Sequence, residues 1–172
     1  MNTISQSTVS STASTWTPTF GPLLQENGCL FRLWARPDAK IELVLEKNGD
    51  AKAITFPMVL QPNGMFQVHV PGAGAGTRYW FTIDGAGPFP DPASRRQPLG
   101  VHGPSEVVAP QTYRWKNQSY RTPSLREIVF YELHVGTFTP EGTFAAVIDK
   151  LDDVRQLGVN FIELLPIADF AG

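Results

Sequence analysis

Cysteine occurs once in this sequence, at Cys29, so a disulfide framework within the chain and a thiolate metal cluster are both excluded. That lone thiol reads as a small apolar core residue, and a reducing compartment is compatible with it. No apolar run approaches the roughly 20 residues of a bilayer-spanning helix, and the N-terminus has neither a cationic start nor an apolar signal core. A cytoplasmic location is the expectation. Charge is also scarce: Asp, Glu, Lys and Arg make up 17% of the chain, and the formal net charge is -2. With no basic excess and no block of one sign, nucleic acid and membrane surfaces are not expected partners. His69 and His102 stand in separate regions without ligand spacing, so no metal site is expected.

What is present suits a globular protein. The hydrophobic fraction is 42% over 172 residues, enough for one ordinary domain or a small one plus a further piece. Residues 1–18 are dominated by Ser and Thr and offer little to bury, so they are expected to be a disordered leader. The absence of Arg there argues against an organellar transit peptide.

From Phe20 to about Ala109 the period is two. Cys29, Phe31, Leu33 and Ala35 alternate with Leu30, Arg32, Trp34 and Arg36 until Pro37 stops the run. Ile41, Leu43 and Leu45 form a second alternating set, followed by a turn at Asn48-Gly49-Asp50. A strand is expected over Ala53–Leu60, then a turn at Pro62-Asn63-Gly64, then Phe66, Val68 and Val70 on one face. Tyr79, Phe81 and Ile83 share a face of the next strand, which ends at Asp84-Gly85. Short strands at regular spacing with no helical period imply an antiparallel β-sandwich of immunoglobulin-like size over residues 19–110. The glycine-rich Pro71–Gly76 precedes a strand rather than a helix, which argues against a phosphate loop. It reads as a hairpin connection.

Residues 111–126 are polar but carry Tyr113, Trp115 and Tyr120, and read as an interdomain linker whose aromatics pin one domain on the next. From residue 127 the pattern changes. Ile128–Val135 is almost continuously apolar, as a strand covered on both faces should be. Phe144, Val147, Ile148, Leu151, Val154 and Leu157 then recur at helical spacing, with Thr143 as N-cap and Gly158 at the C-terminal end. A second apolar run, Val159–Leu165, is closed by Pro166. Strand, helix and strand with such a crossover mean two parallel neighbours, the opening of a larger α/β domain.

The stretches YELHVGTFTPEGTF and LGVNFIELLPIADF resemble the first strand, first helix and second strand of the (β/α)8 TIM barrel in α-amylase-type glycoside hydrolases. FRLWARPDAKIELVL and GTRYWFTIDG are similar to the early-set, glycogen-binding-like sandwich that precedes many such barrels. PDPASRRQPLGVHGPSEVV, from Pro90 to Val108, most resembles the trehalohydrolases of that group. The resemblance implies a multidomain chain: the sandwich, then the first β-α-β of an incomplete barrel over residues 127–172. It also implies hydrolysis of the α-1,4 bond next to the terminal trehalosyl unit of maltooligosyltrehalose or a related α-glucan, releasing trehalose without a cofactor. The implied mechanism is retaining, with a carboxylate nucleophile and a Glu acid supplied by barrel strands four, five and seven. Those residues are expected beyond Gly172, so no catalytic residue is assigned here and the chain alone is expected to be inactive. Two alternatives stand beside this: a free-standing α-glucan-binding sandwich, and a piece of a glycogen branching enzyme, with which the Glu132-Leu133-His134-Val135-Gly136 strand is shared.

Glu132 and Glu163 lie on neighbouring strands, and glycosidases use two carboxylates, yet both sit mid-strand whereas barrel chemistry gathers at the C-terminal ends. They are read as hydrogen-bonded barrel residues. His134 and Asp169 are nearer those ends and are the candidates for substrate contact, although Asp169 departs from the family's residue at that place. Trp34 and Trp80 fall on the strand faces opposite the core. They read either as a sugar platform or, preferentially, as cover for a contact with the barrel.

Overall fold

The computed structural model describes residues 17–46, 53–117 and 119–168. Apart from Thr17 and Pro18, the expected leader lies outside the described residues, as do the Asn48-Gly49-Asp50 turn and Asp169.

The alternating segments become strands with their apolar sets turned inward. A short β1 (Leu23–Gln25) turns into β2 (Gly28–Trp34), where Cys29 and Phe31 are fully buried. β3 (Ile41–Leu45) buries Ile41 and Leu43 in the same way. β4 (Ile54–Pro57), β5 (Val59–Leu60), β6 (Met65–Pro71), β7 (Arg78–Ile83), β8 (Ala86–Phe89) and β9 (Ser105–Glu106) complete two antiparallel sheets. One runs in the order β1-β2-β6-β5. The other runs β4-β3-β7-β8, with β9 also paired to β7. Their inner faces share one core in which the Tyr79 ring meets Phe31 edge-on at 4.9 Å and Phe81 at 5.7 Å. Each such pair adds about 0.5–1.5 kcal/mol to the burial itself.

Two local expectations are corrected. Ala53–Leu60 is not one strand: β4 pairs with β3 in one sheet and β5 with β6 in the other. Pro57 has no N–H to continue the ladder, and at Met58 the chain dips into the core and donates its own N–H to the Ile41 carbonyl. Pro71–Gly76 is not a hairpin either, because β6 and β7 belong to different sheets. The segment carries the chain across the sandwich, and Gly76 donates to the Val107 carbonyl.

The following segment has a small core of its own, built on Leu133, Val135 and Val147. β10 (Phe130–His134) and β11 (Phe161–Leu165) are parallel and in register, as expected. The first strand is shorter than its apolar run. Asn160 satisfies the backbone before it, accepting from Val129 N–H at 2.8 Å and donating to the Glu127 carbonyl at 2.7 Å. After His134 the chain enters α1 (Val135–Phe138). The expected single helix is two pieces, α2 (Phe144–Ile148) and α3 (Leu151–Gln156), because Lys150 N–H bonds to the Val147 carbonyl three residues back and tightens the turn. Thr143 caps α2 through its hydroxyl, which accepts from Ala146 N–H, and Gly158 ends the helical run at φ +89°. Phe130, Phe144, Ile148 and Leu157 are exposed, so the expected two-sided cover of the strand is found on one side only. Among the described residues no helix is long and apolar enough to cross a membrane.

Candidate functional site

Glu132 and Glu163 are register partners on β10 and β11, so their side chains leave the same face of the sheet side by side. Both are exposed. The expectation that they are hydrogen-bonded interior carboxylates is corrected: neither has a side-chain hydrogen bond among the described residues, since no element covers that face. His134 pairs with Leu165 at the end of the same ladder and is exposed as well. Its proposed companion Asp169 lies outside the described residues, so the two are not brought together here.

The aromatic expectations fare differently from one another. Tyr113 and Trp115 pack on each other edge-on at 4.9 Å, and with Tyr120 they remain exposed. They therefore do not pin two domains together among the described residues. Trp80 is half-buried, with its indole N–H donating to Glu46 at 3.2 Å. Beside it, Arg78 reaches Glu46 at 4.0 Å and Glu106 at 3.5 Å. Trp34 makes no side-chain hydrogen bond among the described residues and is exposed.

A cleft of about 280 Å³ opens beside β2, lined among others by Phe20, Arg32, Trp34, Asp91 and Pro92. Arg32 belongs to the outward set of β2, yet it is only 9% exposed. Its guanidinium lies under the Phe20–Gly21 backbone, Nε donating to the Gly21 carbonyl at 3.1 Å and Nη2 to the Phe20 carbonyl at 3.4 Å. Asp91 is buried nearby. Its carboxylate accepts the Tyr79 hydroxyl and Ala93 N–H, each at 2.7 Å, while its own N–H donates to Ser105 Oγ at 2.9 Å. Burial raises the Asp91 pKa, opposed by the bond from Tyr79, and burial with the adjacent Asp91 charge pushes the Tyr79 phenol up. The Pro90–Val108 passage is thereby clasped to the sandwich, with Glu106 also bridging Arg78 and Arg96. Sequence reasoning missed Arg32, Asp91 and Ser105. Alternation places Arg32 facing out, and nothing local announces that Asp91 meets Tyr79.

The two-sheet sandwich and this clasped exit define a class. Residues 19–111 match the family of carbohydrate-binding module 48 (isoamylase N-terminal domain), and the chain belongs to that family. The chain is also similar to malto-oligosyltrehalose trehalohydrolase of Saccharolobus solfataricus, with 41% identity over 154 residues, 90% of this chain and 26% of the relative. The Deinococcus radiodurans trehalohydrolase is 40% identical over 88% of this chain and 24% of its own length. A branching enzyme of Nocardia farcinica is similar at 28%. Among solved structures, one from Salmonella typhimurium described as an α-amylase superposes with a TM-score of 0.79 at 39% identity, covering 91% of this chain and 26% of that one. The chain thus spans about a quarter of the length of the curated relatives it matches.

Proposed function

We propose that this chain serves as the N-terminal part of a trehalohydrolase, a retaining glycosidase that cleaves the α-1,4 bond next to the terminal trehalosyl unit of maltooligosyltrehalose and releases trehalose. The observation that carries this is the extent of the likeness. An alignment of 154 residues cannot be contained in a module matched over 19–111, so the similarity to trehalohydrolases runs on past the module into the strand-helix-strand segment. The lower identity of the branching enzyme, 28% against 41%, favours the trehalose-releasing reading over that alternative.

On this reading residues 19–110 are an early-set sandwich, 111–126 a linker, and 127–172 the opening of a (β/α)8 barrel in a cytoplasmic enzyme. The parallel β10–β11 pair with its helical crossover supports the barrel. The nucleophile and acid are then supplied by later strands. Glu132 and Glu163, exposed in mid-strand, take no part, and His134 stands at the end of the strand where substrate would arrive. The test is trehalose release from maltotriosyltrehalose, comparing the 172-residue chain with a hybrid in which it replaces the matching N-terminal part of the Deinococcus enzyme. Release by the hybrid alone is expected. Glucan branching by the hybrid, or release by the short chain, would overturn the reading.

A further inference from the structure

The side chains of β10 and β11 specify their register only weakly. Phe130-Tyr131-Glu132-Leu133-His134 lies beside Phe161-Ile162-Glu163-Leu164-Leu165, and a one-residue slip is forbidden because it would turn Leu164 away from the small core at Leu133. A two-residue slip keeps every side chain on its own face, and Ile162 would then take the place beside Leu133. That slipped pairing has an electrostatic advantage. In the observed register Glu132 and Glu163 stand directly side by side, exposed and without an ion pair among the described residues, and like charges so placed are destabilising. Sliding β11 by two residues would separate the carboxylates and bring Glu163 beside His134.

Asn160 opposes this slide. It immediately precedes β11, and its amide holds two backbone groups ahead of β10, Oδ1 accepting from Val129 N–H at 2.8 Å and Nδ2 donating to the Glu127 carbonyl at 2.7 Å. Its own N–H donates to the Val129 carbonyl at 3.2 Å. A slide of two residues would carry the amide about 7 Å along the strand and break both side-chain bonds together. The register so held sets His134 level with Leu165 at the C-terminal end of the ladder.

We propose that Asn160 is a positioning residue: it selects the in-register pairing of β10 and β11 against the two-residue slip, and through it fixes the height of His134 at the end of the sheet. The step from His134 to substrate rests on the trehalohydrolase reading; the register does not.

Two cysteine pairs in the whole 172-residue chain read the register. Strands lie about 4.8 Å apart, so His134→Cys with Leu165→Cys can close a disulfide in the observed pairing, whereas Phe130→Cys with Val159→Cys stand roughly 8 Å apart, beyond the limit of about 7 Å, until the slip brings them level. Mild oxidation with glutathione disulfide and peptide mapping should find the first bridge and not the second. Asn160→Ala should lower the first severalfold and raise the second, and Glu163→Gln added to it should restore the first by removing the repulsion that drives the slip. A merely structural role would lose the first bridge without gaining the second and would show no rescue by Glu163→Gln. Either result overturns the proposal, as does an unchanged pattern in Asn160→Ala or failure of the first bridge in the parent.

In the hybrid with the Deinococcus enzyme, Asn160→Ala should raise KM for maltotriosyltrehalose severalfold with kcat within about twofold, and an unchanged KM overturns the link to His134. Bridges that shift as expected while the parent hybrid releases no trehalose remove the trehalohydrolase reading alone. Trehalose release with bridges that do not respond to Asn160→Ala removes the register proposal alone.

Discussion

The Tyr79 hydroxyl donates to Asp91 Oδ2 at 2.7 Å between two buried side chains, tying the middle of the second sheet to the passage that leaves the sandwich. Tyr79→Phe removes the donor and leaves a buried carboxylate oxygen short of a partner, which should cost about 1–3 kcal/mol in urea denaturation. Asp91→Asn keeps an acceptor for Ala93 N–H and should cost less than Asp91→Ala. An Asp91→Ala variant as stable as the parent would show that the clasp contributes nothing.

The buried Cys29 thiol predicts an alkaline limit. Burial lifts its pKa from 9.0 to about 11. As pH rises past 9 the unfolded chain loses this proton before the native one does, so stability is fully present below pH 9 and declines up to pH 11. The decline attributable to the thiol is about 2–3 kcal/mol at most. Thermal midpoints recorded between pH 8 and 11 should fall more gently in Cys29→Ala than in the parent; parallel curves would refute the assignment.

Gly28 stands where β2 leaves its hairpin with β1, at φ +156°. A Cβ there would lie 2.3 Å from the Val70 carbonyl oxygen, a backbone atom held in the β2–β6 ladder. Gly28→Ala should therefore destabilise the sandwich by about 1–3 kcal/mol, through both the conformation and the contact. Chemical denaturation would measure this, and a neutral substitution would mean that β6 gives way cheaply.

The two halves should differ in resistance to protease. Among the described residues, fourteen buried apolar residues form the sandwich core and three form the core of the strand-helix-strand segment. Arg114, Lys116, Arg121 and Arg126 are exposed between them. Trypsin should cut there first, leaving a resistant sandwich, while the released segment, with Phe130, Phe144, Ile148 and Leu157 exposed, associates in light scattering. Survival of residues 128–168 with digestion of the sandwich would contradict this ordering.

Much of the architecture follows from local rules. Period-two alternation decides which residues of β2, β3, β6 and β7 face inward, because successive side chains of a strand must leave opposite faces. Asp84 and Gly85, at φ +52° and +80°, form the tight β7–β8 turn that an Asp-Gly pair favours. Thr143 and Gly158 mark the ends of the helical run through a hydroxyl and a left-handed backbone. These are properties of a few adjacent residues, and the sequence by itself determined them.

Tertiary structure alone decided the rest. Whether Ala53–Leu60 stays in one sheet or splits between two depends on which ladders stand beside it, and Met58 settles that by entering the core. Arg32 is buried only because the Phe20–Gly21 backbone folds over it, eleven and twelve residues away. Asp91 acquires its role by meeting Tyr79 and Ser105, and Glu132 and Glu163 remain in solvent because no element of the described chain lies across their face. Periodicity tells which way a side chain points; what it meets is fixed by surfaces brought together from distant parts of the chain.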